Sequence, residues 1–548
     1  MMKCKLVFQK TVQLFLSASI LNLSFSCISY QSAIVPKSLG ISIDNTKNYY
    51  LITESESEKY PLQIKRWEMR ELSIEDNRIS AQLYLANTSN YVRDDARSRS
   101  DKNKLGQRGK ATNHVSLYLS TNHDVWSDQT ESGKVLIPFP AIQKVEVYDI
   151  DLGRTIAYTT LGIAGTLGAI FLVILLTKDS CPFIYAYNGE SYEFVGEIYS
   201  GAIHPPLERH DYLPIPNLQA IENEYKIQIT NEIKEIQHTN MTELLVFDHP
   251  ENVEVLIDKY GNTHTISNPE LPLTSKTLDG SNIDSLLSSK DSLVYMSGIP
   301  DENSGDMDAV ILTFDKPSGQ DTGKLVIKGK NSFWLDYIHG QFSELFGERF
   351  DTWKEKQKKQ SPEKMIKWSL DQGIPLSVYI ETEHGWEFAD YYNVVGPLAA
   401  KEDVLEIDLH NIKSDKVNIK LEFGFLFWEI DYVAMDFTPN HSVEEHTVSL
   451  FSAFDENNND VSDKLMFDDK KYYIQPHIGN EALLTFQVPN QSEGTKRSFI
   501  LHSKGHYEIL KEIGGKPDIA HLKGFRKPGA FSQFSKDRFM KFYDEFQK

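Results

Sequence analysis

The chain is poor in cysteine. Cys4, Cys27 and Cys181 are the only three in 548 residues, too few for a disulfide framework, and Cys4 lies within the leader. Burial and hydrogen bonding must therefore hold the fold. Positive charge is also scarce: 57 Lys and Arg face 78 Asp and Glu, a formal net charge of −21. That balance repels phosphate backbones and anionic headgroups and argues against a nucleic-acid partner. Catalytic motifs are missing. Gly319-Gln320-Asp321-Thr322-Gly323-Lys324 is one residue short of a P-loop between its glycines and runs on into Leu325, so it reads as a hairpin turn. His441 and His446 are five apart and do not share a helix face, which sets aside a metalloprotease reading. Long apolar runs occur in two places, the leader and residues 155–177.

Residues 155–177, TIAYTTLGIAGTLGAIFLVILLT, are uncharged and flanked by Arg154 and Lys178. At about 1.5 Å per residue they reach across a hydrocarbon core of roughly 30 Å, so a transmembrane helix is expected. Gly162, Gly165 and Gly168 would let a second helix approach closely; a buried core helix is the alternative. At the N-terminus, Lys3, Lys5 and Lys10 precede the apolar residues 12–23 and then small residues, the three parts of a secretory signal. Leu23-Ser24-Phe25-Ser26-Cys27 resembles a bacterial lipobox. That resemblance implies cleavage and diacylation at Cys27; a plain cleaved signal or an uncleaved anchor are the other readings. Either anchor makes the membrane a partner and places the protein in a bacterial cell envelope. The two together would leave the C-terminal body in the cytoplasm, and the balanced flanking charges leave its side open.

The expected fold class is mainly β (α+β): a small N-terminal β domain, one transmembrane helix, and a multi-part C-terminal β-rich body with a β-sandwich and an amphipathic helix. Residues 1–27 are the leader. Residues 28–154 carry period-2 or β-branched segments at 49–52, 62–70, 78–85, 114–119 and 143–148, interrupted by the polar loop 93–110. Residues 178–330 open with an aromatic hairpin at 183–195, whose Asn188-Gly189 predicts a type I′ turn. Cys181-Pro182-Phe183, this hairpin and Gly201-Ala202-Ile203 resemble a unit of uncharacterised bacterial envelope lipoproteins, a resemblance that implies no activity. Residues 331–372 form a helical connection in which Leu335, Ile338, Phe342, Leu345, Phe346, Phe350 and Trp353 recur at helical spacing. From 373 to 530 the alternation of Leu376, Val378 and Ile380 and of Val417, Ile419, Leu421 and Phe423 predicts a β-sandwich. Its stretch 417–437 resembles the closing strands of galactose-binding-like jelly rolls. Residues 531–548, with Phe531, Phe534, Phe539 and Tyr543 among Lys536, Arg538 and Lys541, form an amphipathic helix that docks on the body, a membrane or a partner.

Candidate functional residues are few. The jelly-roll resemblance implies carbohydrate binding through loop aromatics, and Trp386, Phe388, Tyr391 and Tyr392 are placed for it; core packing is the competing account. Asp455, Asn457 and Asn459 offer oxygens at calcium-loop positions one, three and five but lack the Gly and Glu of a full loop, so calcium is the one cofactor in question and a polar turn the competing account. His204 and His210, beside Pro205 and Pro206, read as a surface turn. The expected function is a non-enzymatic envelope lipoprotein whose C-terminal domains bind a ligand, glycan or protein partner. The alternatives are an envelope hydrolase acting on glycans or peptides, and a structural assembly factor.

Overall fold

The computed structural model describes residues 30–35, 48–57, 60–75, 78–86, 114–119, 126, 129–130, 133–138, 141–150, 182–221, 224–298 and 305–547. The predicted span 155–177, the leader with Cys27, and the loop 93–110 lie outside them. Among the described residues no helix is long and apolar enough to cross a membrane. The protein is mainly β, in several sheets, and divides into two units, 1–176 and 177–548.

The described residues of the first unit form one seven-stranded sheet. Its order is Tyr30–Val35, Ile142–Ile150, His114–Leu119, Asn48–Ser57, Tyr60–Glu75, Arg78–Leu85, Val135–Pro138. All neighbours are antiparallel except Asn48–Ser57 with His114–Leu119. Leu51, Val115, Leu117, Ile79, Ala81, Val135, Ile137 and Ile142 are buried together, alternate positions that give each strand one core face.

The second unit opens with the expected hairpin, Phe183–Tyr187 against Tyr192–Glu197. Its turn differs from the two-residue form. The loop is 188–191, only Gly189 takes a positive φ (101°), and Asn188 Oδ1 accepts the backbone N–H of Glu190 and Ser191 at 3.0 and 2.9 Å. The asparagine acts through its side chain here, so no second positive φ is needed.

Two sandwiches follow, and their strand pairing crosses the chain positions 330 and 372. In the first, sheet I (Ser452–Asp455, Glu481–Gln487, Glu224–Thr230, Phe183–Tyr187, Tyr192–Glu197) faces sheet II (Arg209–Pro214, Lys496–Ile509, Glu235–His249, Glu444–Ser449). Ile184, Ile227, Ile229, Leu484 and Phe486 of one share a core with Leu244, Val246, Leu501 and Tyr507 of the other. The second is contained within the chain interval between Glu235–His249 and Glu444–Ser449. Its sheet III is Pro269–Glu270, Trp428–Asp436, Thr322–Asn331, Lys401–Asp408; its sheet IV is Thr274–Thr277, Met307–Asp315, Lys416–Gly424, Leu376–Thr382, Gly385–Tyr392. The alternating residues singled out in the sequence are its interior: Val417, Ile419, Leu421 and Phe423 are all fully buried. The hairpin Glu254–Ile257 with Thr263–Ile266 joins the two sandwiches. Val255 and Ile257 pack with Phe247 and Ile500 of sheet II, whereas Leu256 and Ile266 pack with Val326, Val404 and Ala434 of sheet III. Period-2 geometry sends alternate side chains to opposite neighbours.

Helix α1 (Phe333–Glu344) is capped by Ser332, whose Oγ accepts the N–H of Leu335. Helix α2 (Phe350–Gln357) is held to the residues just after α1 by Trp353, which stacks on Phe346 with centroids 4.4 Å apart. Helix α3 (Pro362–Asp371) is capped by Ser361 with Pro362 at its first turn. The terminal helix α4 (Ala530–Gln547) packs on the body: Phe531 and Phe534 are buried.

Candidate functional site

Between the helical layer and the segment 200–210 lies a cavity of about 850 Å³. One wall is aromatic: Phe342, Phe346, Phe350, Trp353, Trp368 and Phe525 line it. They are brought together by the three- and four-residue spacing in α1 and α2 and by edge-to-face contacts, for instance Phe342 with Phe525 at 4.9 Å. The polar wall carries His204, Glu208, Arg209, His210, Lys259 and Tyr391. Counting charged lining groups, Arg209, Lys259, Lys354, Lys364 and Arg526 stand against Glu208 and Asp336, five cations to two anions in a chain of net charge −21.

The polar wall is organised. Lys259 Nζ lies 3.2 Å from the Tyr391 ring centroid and is bound to Asp390 Oδ1; burial lowers its pKa against the opposing pull of Asp390. Arg209 is held by the carbonyls of Ser200 and Val394 at 2.6 and 3.1 Å. His210 ends a relay across three strands of sheet II. Glu243 Oε1 lies 2.7 Å from His502 Nδ1, and His502 Nε2 lies 2.8 Å from His210 Nδ1, with Tyr212 stacked on His502 at 4.4 Å. A carboxylate at Nδ1 fixes the proton there, so His502 Nε2 accepts from His210 and leaves the His210 Nε2 lone pair for other partners. Burial and the neighbouring His502 lower the His210 pKa.

Two further histidines of the lining are kept neutral. Burial drops His204 to about 4 against the pull of Glu508, and burial with Lys511 drops His339 to about 4. Both folded values lie below the unfolded value near 6.5, so the unfolded chain takes up protons that the folded one refuses. Their contribution is intact above about pH 6.5 and is lost as pH falls towards about 4. The melting temperature is expected to decline over that window more steeply in the native protein than in His339→Gln; parallel profiles would refute this.

The sequence candidates are dispersed. Tyr391 lines the cavity. Tyr392, next along the strand, points the other way, is 1% exposed and donates to the Leu325 carbonyl at 2.7 Å, so it belongs to the sandwich interior. Trp386 and Phe388 lie on the outer face of sheet IV, Phe388 5.6 Å from Tyr379 and Trp386 beside Lys420. Asp455 spends its carboxylate on a turn: Oδ1 accepts the N–H of Asn457 and Asn459, and Oδ2 accepts Asn459 Nδ2 at 3.0 Å. His204, read as part of a surface turn, is 4% exposed and orders the cavity wall instead.

A face of Lys496–Ile509 escaped the sequence reading. His502, Lys504, His506 and Glu508 alternate with Leu501, Ser503, Gly505 and Tyr507, a period-2 polar face in which titratable groups repeat. Two groups of ligand-type atoms occur among the described residues: His238, His506 and Glu508, and Asp248, Glu444 and His446. In the second, Asp248 is already bound by Arg497 through Nε and Nη2 at 2.6 and 2.7 Å.

No protein-family model, curated protein or solved structure matches the chain.

Proposed function

We propose that residues 182–547 form a non-enzymatic binding module that takes an anionic amphiphile into the aromatic cavity. We propose also that diacylated Cys27 and the span 155–177 hold it at the bacterial cell envelope as a membrane-anchored lipoprotein. The observation that carries the binding reading is the cavity itself: about 850 Å³, within the size range of small-ligand sites, lined by aromatic rings with cationic side chains among them. Burial of a hydrocarbon or aromatic body gains about 25 cal/mol per Å², and a charge-assisted bond to Lys354 or Arg526 adds orientation. Trp386 and Phe388 leave a glycan contact as an additional role of sheet IV.

The test is isothermal titration of 2-naphthoate, with 2-naphthol as its neutral counterpart, into the full chain in lipid nanodiscs. Saturable binding of the anion is expected, weakened about tenfold in the Lys354→Gln, Arg526→Gln double variant, a loss of about 1.4 kcal/mol, with 2-naphthol little changed. Absence of saturable binding refutes the reading. The Glu243–His502–His210 relay favours a second reading, a hydrolase with His210 as general base; turnover of 2-naphthyl acetate that disappears in His210→Gln would select it.

A further inference from the structure

A second site lies outside the ligand contacts argued above. His238 and His506 are cross-strand partners in sheet II, and Glu508 follows His506 by two residues on the same face. The imidazoles stack at 4.5 Å with planes 4° apart, and Tyr472 meets both edge-on at 5.9 and 5.4 Å. His238 Nε2 and His506 Nδ1 are buried and have no hydrogen-bond partner, and His506 is 4% exposed. Two such orphaned nitrogens are costly to bury unless something binds them. Glu508 divides its oxygens: Oε2 lies 2.9 Å from Lys358 Nζ and Oε1 lies 3.7 Å from His238 Nε2. One atom from each of the three residues falls within 4.8 Å of the others.

The geometry points to a divalent transition-metal site, with zinc as the fitting ion, formed by His238, His506 and Glu508. Two imidazoles and one carboxylate are a common zinc donor set and leave a fourth position for water or substrate. Bond lengths near 2.0–2.1 Å require the ligand atoms to close to about 3.3 Å, and because imidazole lone pairs lie in the ring plane, metal binding must tilt the two parallel rings towards a common point. Lys358 on the second carboxylate oxygen holds Glu508 in place, the role of an outer-sphere partner. The donor set contains nitrogen and is separate from the oxygens of Asp455, Asn457 and Asn459, so it selects against calcium.

The test uses the full chain in nanodiscs, stripped with chelator, reloaded with zinc or cobalt, desalted and assayed for bound metal. About one equivalent of zinc per chain is expected, with a tetrahedral cobalt spectrum in the visible region. His506→Gln should lose it. Glu508→Gln, at a less buried position, should weaken retention at least tenfold with an unchanged circular dichroism spectrum, and thus reports even where His506→Gln does not fold. His446→Gln should retain the metal. Retention in Glu508→Gln equal to that of the native chain, loss in His446→Gln, or no metal held by the native chain would each overturn the assignment.

Discussion

Deletion of residues 530–548 is expected to destabilise the second unit by several kcal/mol and to abolish ligand binding. Helix α4 closes the aromatic wall from behind. Phe531 is fully buried and meets Phe342, Phe427 and Phe525 at 5.6, 5.5 and 6.1 Å. Its N–H donates to Gln372 Oε1 at 2.7 Å. Ser532 Oγ accepts the Phe425 N–H at 2.8 Å, while Ser535 Oγ donates to the Phe425 carbonyl and accepts from Trp334 Nε1 at 2.7 Å. Removing the helix exposes the rings and strips four hydrogen bonds from groups that are otherwise dry. Phe531→Ala alone should cost about 3–5 kcal/mol. Urea unfolding of the full chain, followed by near-ultraviolet circular dichroism, measures both; a truncated chain with an unchanged midpoint and unchanged naphthoate affinity would contradict the packing role.

Lys401→Met is expected to cost about 3–5 kcal/mol near neutral pH, because it takes the nearest counter-charge from two buried carboxylates. Lys401 Nζ lies 3.0 Å from Asp211 Oδ1 and 3.7 Å from Asp403 Oδ2, and so links sheet II of one sandwich to sheet III of the other. Burial pushes Asp211 up, yet Lys401 and Arg209 outweigh it and hold the carboxyl below its usual range; burial raises Asp403. Without the ammonium both would rise, Asp403 furthest from its unfolded value. The deficit should then be largest above the unfolded carboxylate range and shrink as pH falls and the pair protonates. Lys401→Met with Asp211→Asn should recover much of the loss, since a single remaining carboxyl can protonate. Denaturation midpoints at about pH 7 and about pH 5 decide it; a deficit that grows on acidification would refute the electrostatic origin.

Local signals were legible and distant ones were not. The strands Arg78–Leu85 and His114–Leu119 fall on their expected bounds, and the terminal helix begins one residue early, because period-2 and period-3.6 patterns are properties of a few consecutive residues. The placement of Glu444–Ser449 and Lys496–Ile509 beside Glu235–His249 has no such signature, since nothing in a strand's own alternation names its partner. For the same reason Tyr391 and Tyr392 looked equivalent, although adjacent positions on a strand face opposite ways. His204 was visible beside its prolines, but only packing against Trp353, 5.6 Å away, makes it a buried neutral group.

By itself the sequence determined the β-rich character, the acidic balance, and which stretches alternate or wind, because these depend on chain-local periodicity and summed charge. Tertiary structure alone decided the enclosure of one sandwich within the chain of the other, the cavity between helices and sheet II, and the convergence of His238 with His506 and Glu508. Each of these joins residues more than a hundred positions apart, and such contacts are selected by the burial of whole faces against one another, a quantity that no short window of sequence contains.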